Sequence, residues 1–150
     1  MKKQHLKESI ALLIAVGLTL LLAGGAEPSP VFPASGSWSG TVTSIHLPSG
    51  LTESVSLTIM ITQTVPTEFT GTGSAGGNTV MVEGFVLRTT AQSQFFGVNI
   101  AVQGSAPCPQ ASFTGIGNLD QLQNRIMFTV SGVSQACDTV LANGTLEKSL

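Results

Sequence analysis

Apolar residues recur at every second position along most of this chain. The clearest run is 54–63, SVSLTIMITQ. Val55, Leu57, Ile59 and Ile61 share one face, while Ser54, Ser56, Thr58 and Thr62 share the other. Only Met60 breaks the polar face. A period of two is that of a strand with one buried face. Beyond the N-terminal region, no stretch keeps an apolar 3.6-residue period for two helical turns.

The alternation predicts eight strands, at about 37–45, 53–64, 68–74, 79–88, 94–103, 111–119, 125–131 and 139–147. Turn chemistry separates them: Leu47-Pro48-Ser49-Gly50, Pro66, Ala75-Gly76-Gly77-Asn78, and the segment 104–110 with Pro107, Cys108 and Pro109. Glycine and proline punctuate strands because each demands or fixes special dihedrals. The connections are short, so sequence neighbours should pair as antiparallel hairpins.

An aromatic-x-glycine step recurs at Trp38-Ser39-Gly40, Phe69-Thr70-Gly71 and Phe113-Thr114-Gly115. Residues two apart on a strand share a face, so the ring can fold over the missing side chain. The glycine then permits sharp curvature. Repeated hairpins with glycine kinks predict an all-β fold, an eight-stranded antiparallel up-and-down meander barrel. A β-sandwich is the alternative. The inward positions include Trp38, Leu57, Ile59, Phe69, Phe113 and Phe128, which favour a filled core. Glycines at 40, 71, 84, 115 and 144 remove volume and favour a residual cavity. An eight-stranded interior is wide enough for either outcome.

Some strands are apolar on both faces. Met81, Phe85 and Leu87 lie opposite Val80, Val82 and Val86, and Phe95 lies opposite Phe96, Val98 and Ile100. Both faces of a strand cannot point into one barrel. The surplus marks Met81, Phe85 and Leu87 as a candidate partner surface.

The first 26 residues are organised differently. Lys2, Lys3 and Lys7 precede the uncharged run IALLIAVGLTLLL, and Ala23-Gly24-Gly25-Ala26 follows it. This is the layout of a secretory signal peptide. The apolar run is shorter than the ~20 residues a membrane span needs. The expected organisation is a signal helix at 1–26, a Pro- and Ser-rich tether at 27–36, and one barrel domain at 37–150. The expected location is exported, either periplasmic or extracellular. Membrane contact is expected only through an uncleaved signal segment.

Charge sharpens this picture. Only 9% of the chain is charged, against about 25% in an ordinary soluble protein. After residue 26 the cations are Arg88, Arg125 and Lys148, against seven carboxylates, a net of −4. That balance disfavours nucleic acid as a partner. Cys108 and Cys137, an even pair in an exported chain, are expected to form a disulfide.

Candidate reaction chemistry is sparse. His46 is the one histidine after the leader, on the expected turn behind the first strand, and reads as a solvated residue. A Ser-His-Asp arrangement would need Asp120 or Asp138 beside it. Zinc needs three or four ligands, more than one histidine and two bridged cysteines supply. Glu53 and Glu68 read as solubilising surface charges. Glu83 is set apart by its apolar companions Met81, Phe85 and Leu87. No enzyme activity, metal or cofactor is expected.

Gly36-Ser37-Trp38, at the start of the first strand, resembles the opening of lipocalins and avidins, the calycin barrels. Phe69-Thr70-Gly71-Thr72-Gly73 is similar to a glycine-rich strand of avidins. The Trp38-Ser39-Gly40-Thr41 opening and the repeated Gly-Thr strand ends also resemble small exported bacterial proteins. Avidins line their pocket with several Trp and Tyr, whereas this chain has one Trp and no Tyr. The resemblance therefore implies an architecture and no particular ligand.

Two functions follow as expectations. The first is a barrel that binds a small apolar ligand, with Trp38, Phe69, Glu83, Phe113 and Phe128 as candidate contacts. The second is a structural or interaction module of the cell envelope, using the Met81, Phe85 and Leu87 face on a protein partner.

Overall fold

The computed structural model describes residues 34–103, 110–134 and 136–149. The expected leader at 1–26, most of the tether and Cys108 lie outside the described residues. Eight strands follow one another: β1 Gly36–Leu47, β2 Thr52–Val65, β3 Glu68–Ala75, β4 Asn78–Thr89, β5 Ser93–Gln103, β6 Gln110–Asp120, β7 Arg125–Val133 and β8 Thr139–Lys148. Each pairs antiparallel with its sequence neighbour, and β1 pairs with β8, which closes the sheet into a barrel. The β1–β8 seam runs from Trp38–Lys148 to Leu47–Thr139. This seam decides against the sandwich, because closure leaves no unpaired edge.

The alternating pattern becomes inside and outside. Leu57, Ile59 and Ile61 of β2 are buried, as are Val80 and Val82 of β4 and Phe96, Val98 and Ile100 of β5. The outer surface is mostly Ser, Thr and Asn, tied across strands by Thr43–Ser54, Thr114–Asn99 and Thr129–Asn143 hydrogen bonds of 2.8 to 3.1 Å. Such cross-strand pairs each add a few tenths to about 1 kcal/mol.

The glycines work differently from the sequence expectation. Rings cover glycines of the neighbouring strand rather than their own. A Cβ on Gly84 would strike the ring of Phe69, its direct cross-strand partner. Phe96 covers Gly117, and Phe128 covers Gly144, in the same way. Gly40 answers another need: a Cβ there would meet the β8 backbone at Thr145. Strand coiling brings two backbones together where no side chain fits.

Strict alternation breaks at a bulge. The register between β4 and β5 shifts between Val86 and Arg88. The extra residue leaves both Leu87 and Arg88 exposed, where strict alternation would turn Arg88 inward. An inserted residue breaks the period of two locally.

The two ends of the barrel differ. One end carries the β2–β3, β4–β5 and β6–β7 turns and is closed. Trp38 is fully buried there, its Nε1 donating to the Ala34 carbonyl at 2.6 Å. The Lys148 ammonium sits 5.6 Å from the Trp38 ring centre, within cation–π range. Phe69 and Phe96 meet edge to face at 5.4 Å and 88°. Around them Ile59, Ile61, Val98, Ile126 and Leu146 leave a void of only about 30 Å³.

Candidate functional site

The opposite end is hollow. There the inward positions are mostly short: Val42, Val55, Ala75, Val80, Val102, Ala111, Val130, Val140 and Ala142. They line a cavity of about 340 Å³, within the usual range of ligand pockets, about 300–1,000 Å³. Ile100 and Phe128 border both this cavity and the small void below, so they form its floor. Phe113, partly buried, stands in the wall. The walls are apolar, and among the described residues the polar lining is Ser44, His46, Glu53, Asn78 and Ser134.

Those polar groups sit at strand ends that continue the inward parity. His46 belongs to β1, in phase with Trp38, Val42 and Ser44, rather than to the turn. Its backbone is pinned on both sides: its N–H donates to the Leu51 carbonyl, and its carbonyl accepts from Gly50 N–H, both at 2.8 Å. The imidazole is 12% exposed. Its Nε2 lies 3.5 Å from Glu53 Oε2, and its Nδ1 lies 3.6 Å from Asp138 Oδ2. Glu53 reaches it because Glu53 is in phase with Val55 and Leu57 on β2. Asp138 arrives from a turn that folds on itself. Ser134 N–H donates to the Asp138 carbonyl at 2.8 Å, and Ser134 Oγ accepts from the Ala136 and Asp138 amides.

This corrects the expected solvated His46, whereas Glu53 is exposed as expected and also borders the cavity. Both lie at the mouth of the cavity, the His46 ring largely buried and the Glu53 side chain exposed. Asp120, the other carboxylate considered for His46, is at the far end, where its Oδ1 accepts from Leu122 and Gln123 amides. Both side-chain contacts of His46 are to carboxylates, and Ser134 Oγ is held by its own turn. Among the described residues, no group of His, Cys, Asp and Glu is arranged to hold a metal ion.

The five residues picked from sequence as ligand contacts do not come together. Phe113 and Phe128 line the cavity. Trp38 and Phe69 are buried in the closed half, below it. Glu83 points outward and is exposed between Met81 and Phe85 on the outer face of β4. The candidate partner residues also face out: Met81 is 38% exposed, Phe85 48% and Leu87 58%. Phe85 lies across Gly97, whose other neighbour is Ile116, so an exposed apolar row runs over β4, β5 and β6. A separate depression of about 460 Å³ on β1 and β8 is lined by Ser, Thr, Gly, Asn and Glu147. It lacks apolar walls and convergent charge. Cys137 lies in the β7–β8 turn with a φ of 65°, in the left-handed region.

The residues that sequence reasoning passed over are Ser44, His46, Glu53 and Asn78. Their signal was the inward parity of each strand carried two to four residues beyond its last inward apolar residue. No protein-family model matches this chain, and no curated protein matches it significantly.

Proposed function

We propose that the protein is an exported, non-enzymatic barrel that holds one small apolar ligand in the hollow half of its interior. The observation carrying this reading is the apolar cavity of about 340 Å³ above a packed floor, with polar groups confined to its mouth. Apolar walls supply affinity by removing ligand surface from water, about 25 cal/mol per Å². A few polar groups at one end set the ligand's orientation. Calycin-type barrels of this strand number also hold single small ligands, so the architecture is compatible with that resemblance. The leader at 1–26 is the basis for the exported location, periplasmic or extracellular. There an oxidising milieu favours a Cys108–Cys137 bridge across the β5–β6 and β7–β8 connections.

Native mass spectrometry of the protein recovered from its producer's exported fraction tests this. The expected spectrum shows a chain lacking 1–26, two hydrogens lighter for the bridge, with a small-molecule mass added. Ala142→Phe, which fills the cavity, should lose the added mass. A chain that never carries ligand, in the spectrum or in titrations with apolar probes, would contradict the binding reading.

The exposed row of Phe85 and Ile116, with Met81 and Leu87 beside it, favours a second reading, a protein partner on the outer face. Phe85→Ser with Leu87→Ser separates the two. It should abolish a multimer or a co-purifying protein if the second reading holds, and leave cavity ligand unchanged.

A further inference from the structure

The cavity has a built-in charge preference. The described connections at its mouth, 48–51, 76–77, 134 and 136–138, contain no Lys or Arg. The three cations of the described chain are Arg88, Arg125 and Lys148, each near the last or first residue of its strand at the closed end. Arg88 is ten residues along β4 from Asn78 at the mouth, on the order of 30 Å at about 3.3 Å per residue. Arg125 is engaged with Glu147 at 3.4 Å, and Lys148 lies over Trp38. Among the described residues the mouth therefore carries Glu53, Asp138 and His46 and no Lys or Arg to balance a bound anion.

The carboxylates also retain acceptor capacity toward the opening. His46 stands 3.5 and 3.6 Å from them, longer than a well-formed N–H···O hydrogen bond of about 2.7–3.2 Å. The Glu53 and Asp138 side chains are 54% and 49% exposed, so each keeps oxygens open to a visitor.

We propose, resting on the ligand-cavity reading above, that the ligand is a cationic amphiphile: an apolar body in the cavity and an ammonium at the mouth, against Glu53 and Asp138. A fatty acid or other carboxylate would bring a further carboxylate beside Glu53 and Asp138, with no Lys or Arg among the described residues there. An ammonium offers three donors and one positive charge, and hydrogen bonds between ionised partners are about twice as strong as neutral ones.

Three probes with one eight-carbon tail test this by calorimetric titration of the recovered protein: octylamine, 1-octanol and octanoate. The amine should bind about tenfold more tightly than the alcohol, and octanoate more weakly than both. Glu53→Gln with Asp138→Asn should erase the amine's advantage while leaving octanol binding unchanged. Glu147→Gln, a carboxylate change at the far end, should leave all three unchanged. Equal binding of amine and alcohol, or tightest binding of octanoate, would overturn the charge preference and leave the apolar cavity standing. Failure of all three to bind would overturn the cavity reading and this proposal with it.

Discussion

The two halves of the barrel interior are built from the same alternating strands, yet one is packed and the other is hollow. In the closed half the inward side chains are Trp38, Phe69, Phe96, Leu119, Ile126 and Leu146, and the residual void is about 30 Å³. In the open half they are mainly Val and Ala, and about 340 Å³ is left empty. Alternation decides which side chains point inward. Side-chain size along the strand decides whether the interior fills. The glycines do not separate the halves, because the rings of Phe69, Phe96 and Phe128 occupy the space their neighbours' glycines vacate. Stability is therefore expected to reside in the closed half and binding in the open one.

The largest test of that division is a pair of truncations read by denaturant unfolding. Trp38→Ala removes a fully buried side chain and should cost about 3–5 kcal/mol. Phe113→Ala, on a ring that is partly buried and already borders empty space, should cost less than about 3 kcal/mol. Equal losses would erase the distinction between the halves.

The fold was legible in the sequence because its cause is local. Most strands announced themselves by period-two alternation or a flanking turn signal, and the observed ends differ from the expected ones by two residues or fewer. Ring closure was inferred from the glycines, although the ring–glycine pairs proved to lie across strands, a matter of register that spacing within one strand cannot reveal. The site was less legible. Trp38 and Phe69 share the inward face with Phe113 and Phe128, but their height in the barrel depends on which end their strand starts from. Glu83 shares a face with apolar residues, and that face is the outer one. His46 and Asp138 are 92 positions apart and meet only because β1 pairs with β8.

A subtler pair adds volume instead of removing it. Gly84→Ala puts a methyl group into the Phe69 ring, and overpacking of this kind costs about 1–3 kcal/mol. Ala142→Val adds methyl groups on the cavity side and should stabilise by about 0.5–2 kcal/mol, as cavity-filling changes do. It should also weaken binding of an apolar probe. Thermal unfolding with and without the probe measures both effects. A destabilised Ala142→Val protein would show that the open half is already tightly packed.

The smallest expected effect lies outside both halves. Arg125 and Glu147 form a pair at 3.4 Å with side chains 39% and 69% exposed. Solvent screens such a pair, so Glu147→Gln should change stability by no more than about 0.5 kcal/mol. A larger loss would mean that the closed end depends on its surface charges as well as on its packed core.

Methyl-resolved NMR during a benzene titration examines the two halves together. A dry apolar cavity of sufficient size takes up benzene. Saturable shifts are expected at Val42, Val80, Val130, Val140 and Ala142, with Ile59, Ile61 and Leu146 largely unmoved. Shifts confined to the outer face around Met81 and Leu87, or none at all, would contradict a ligand cavity in the open half.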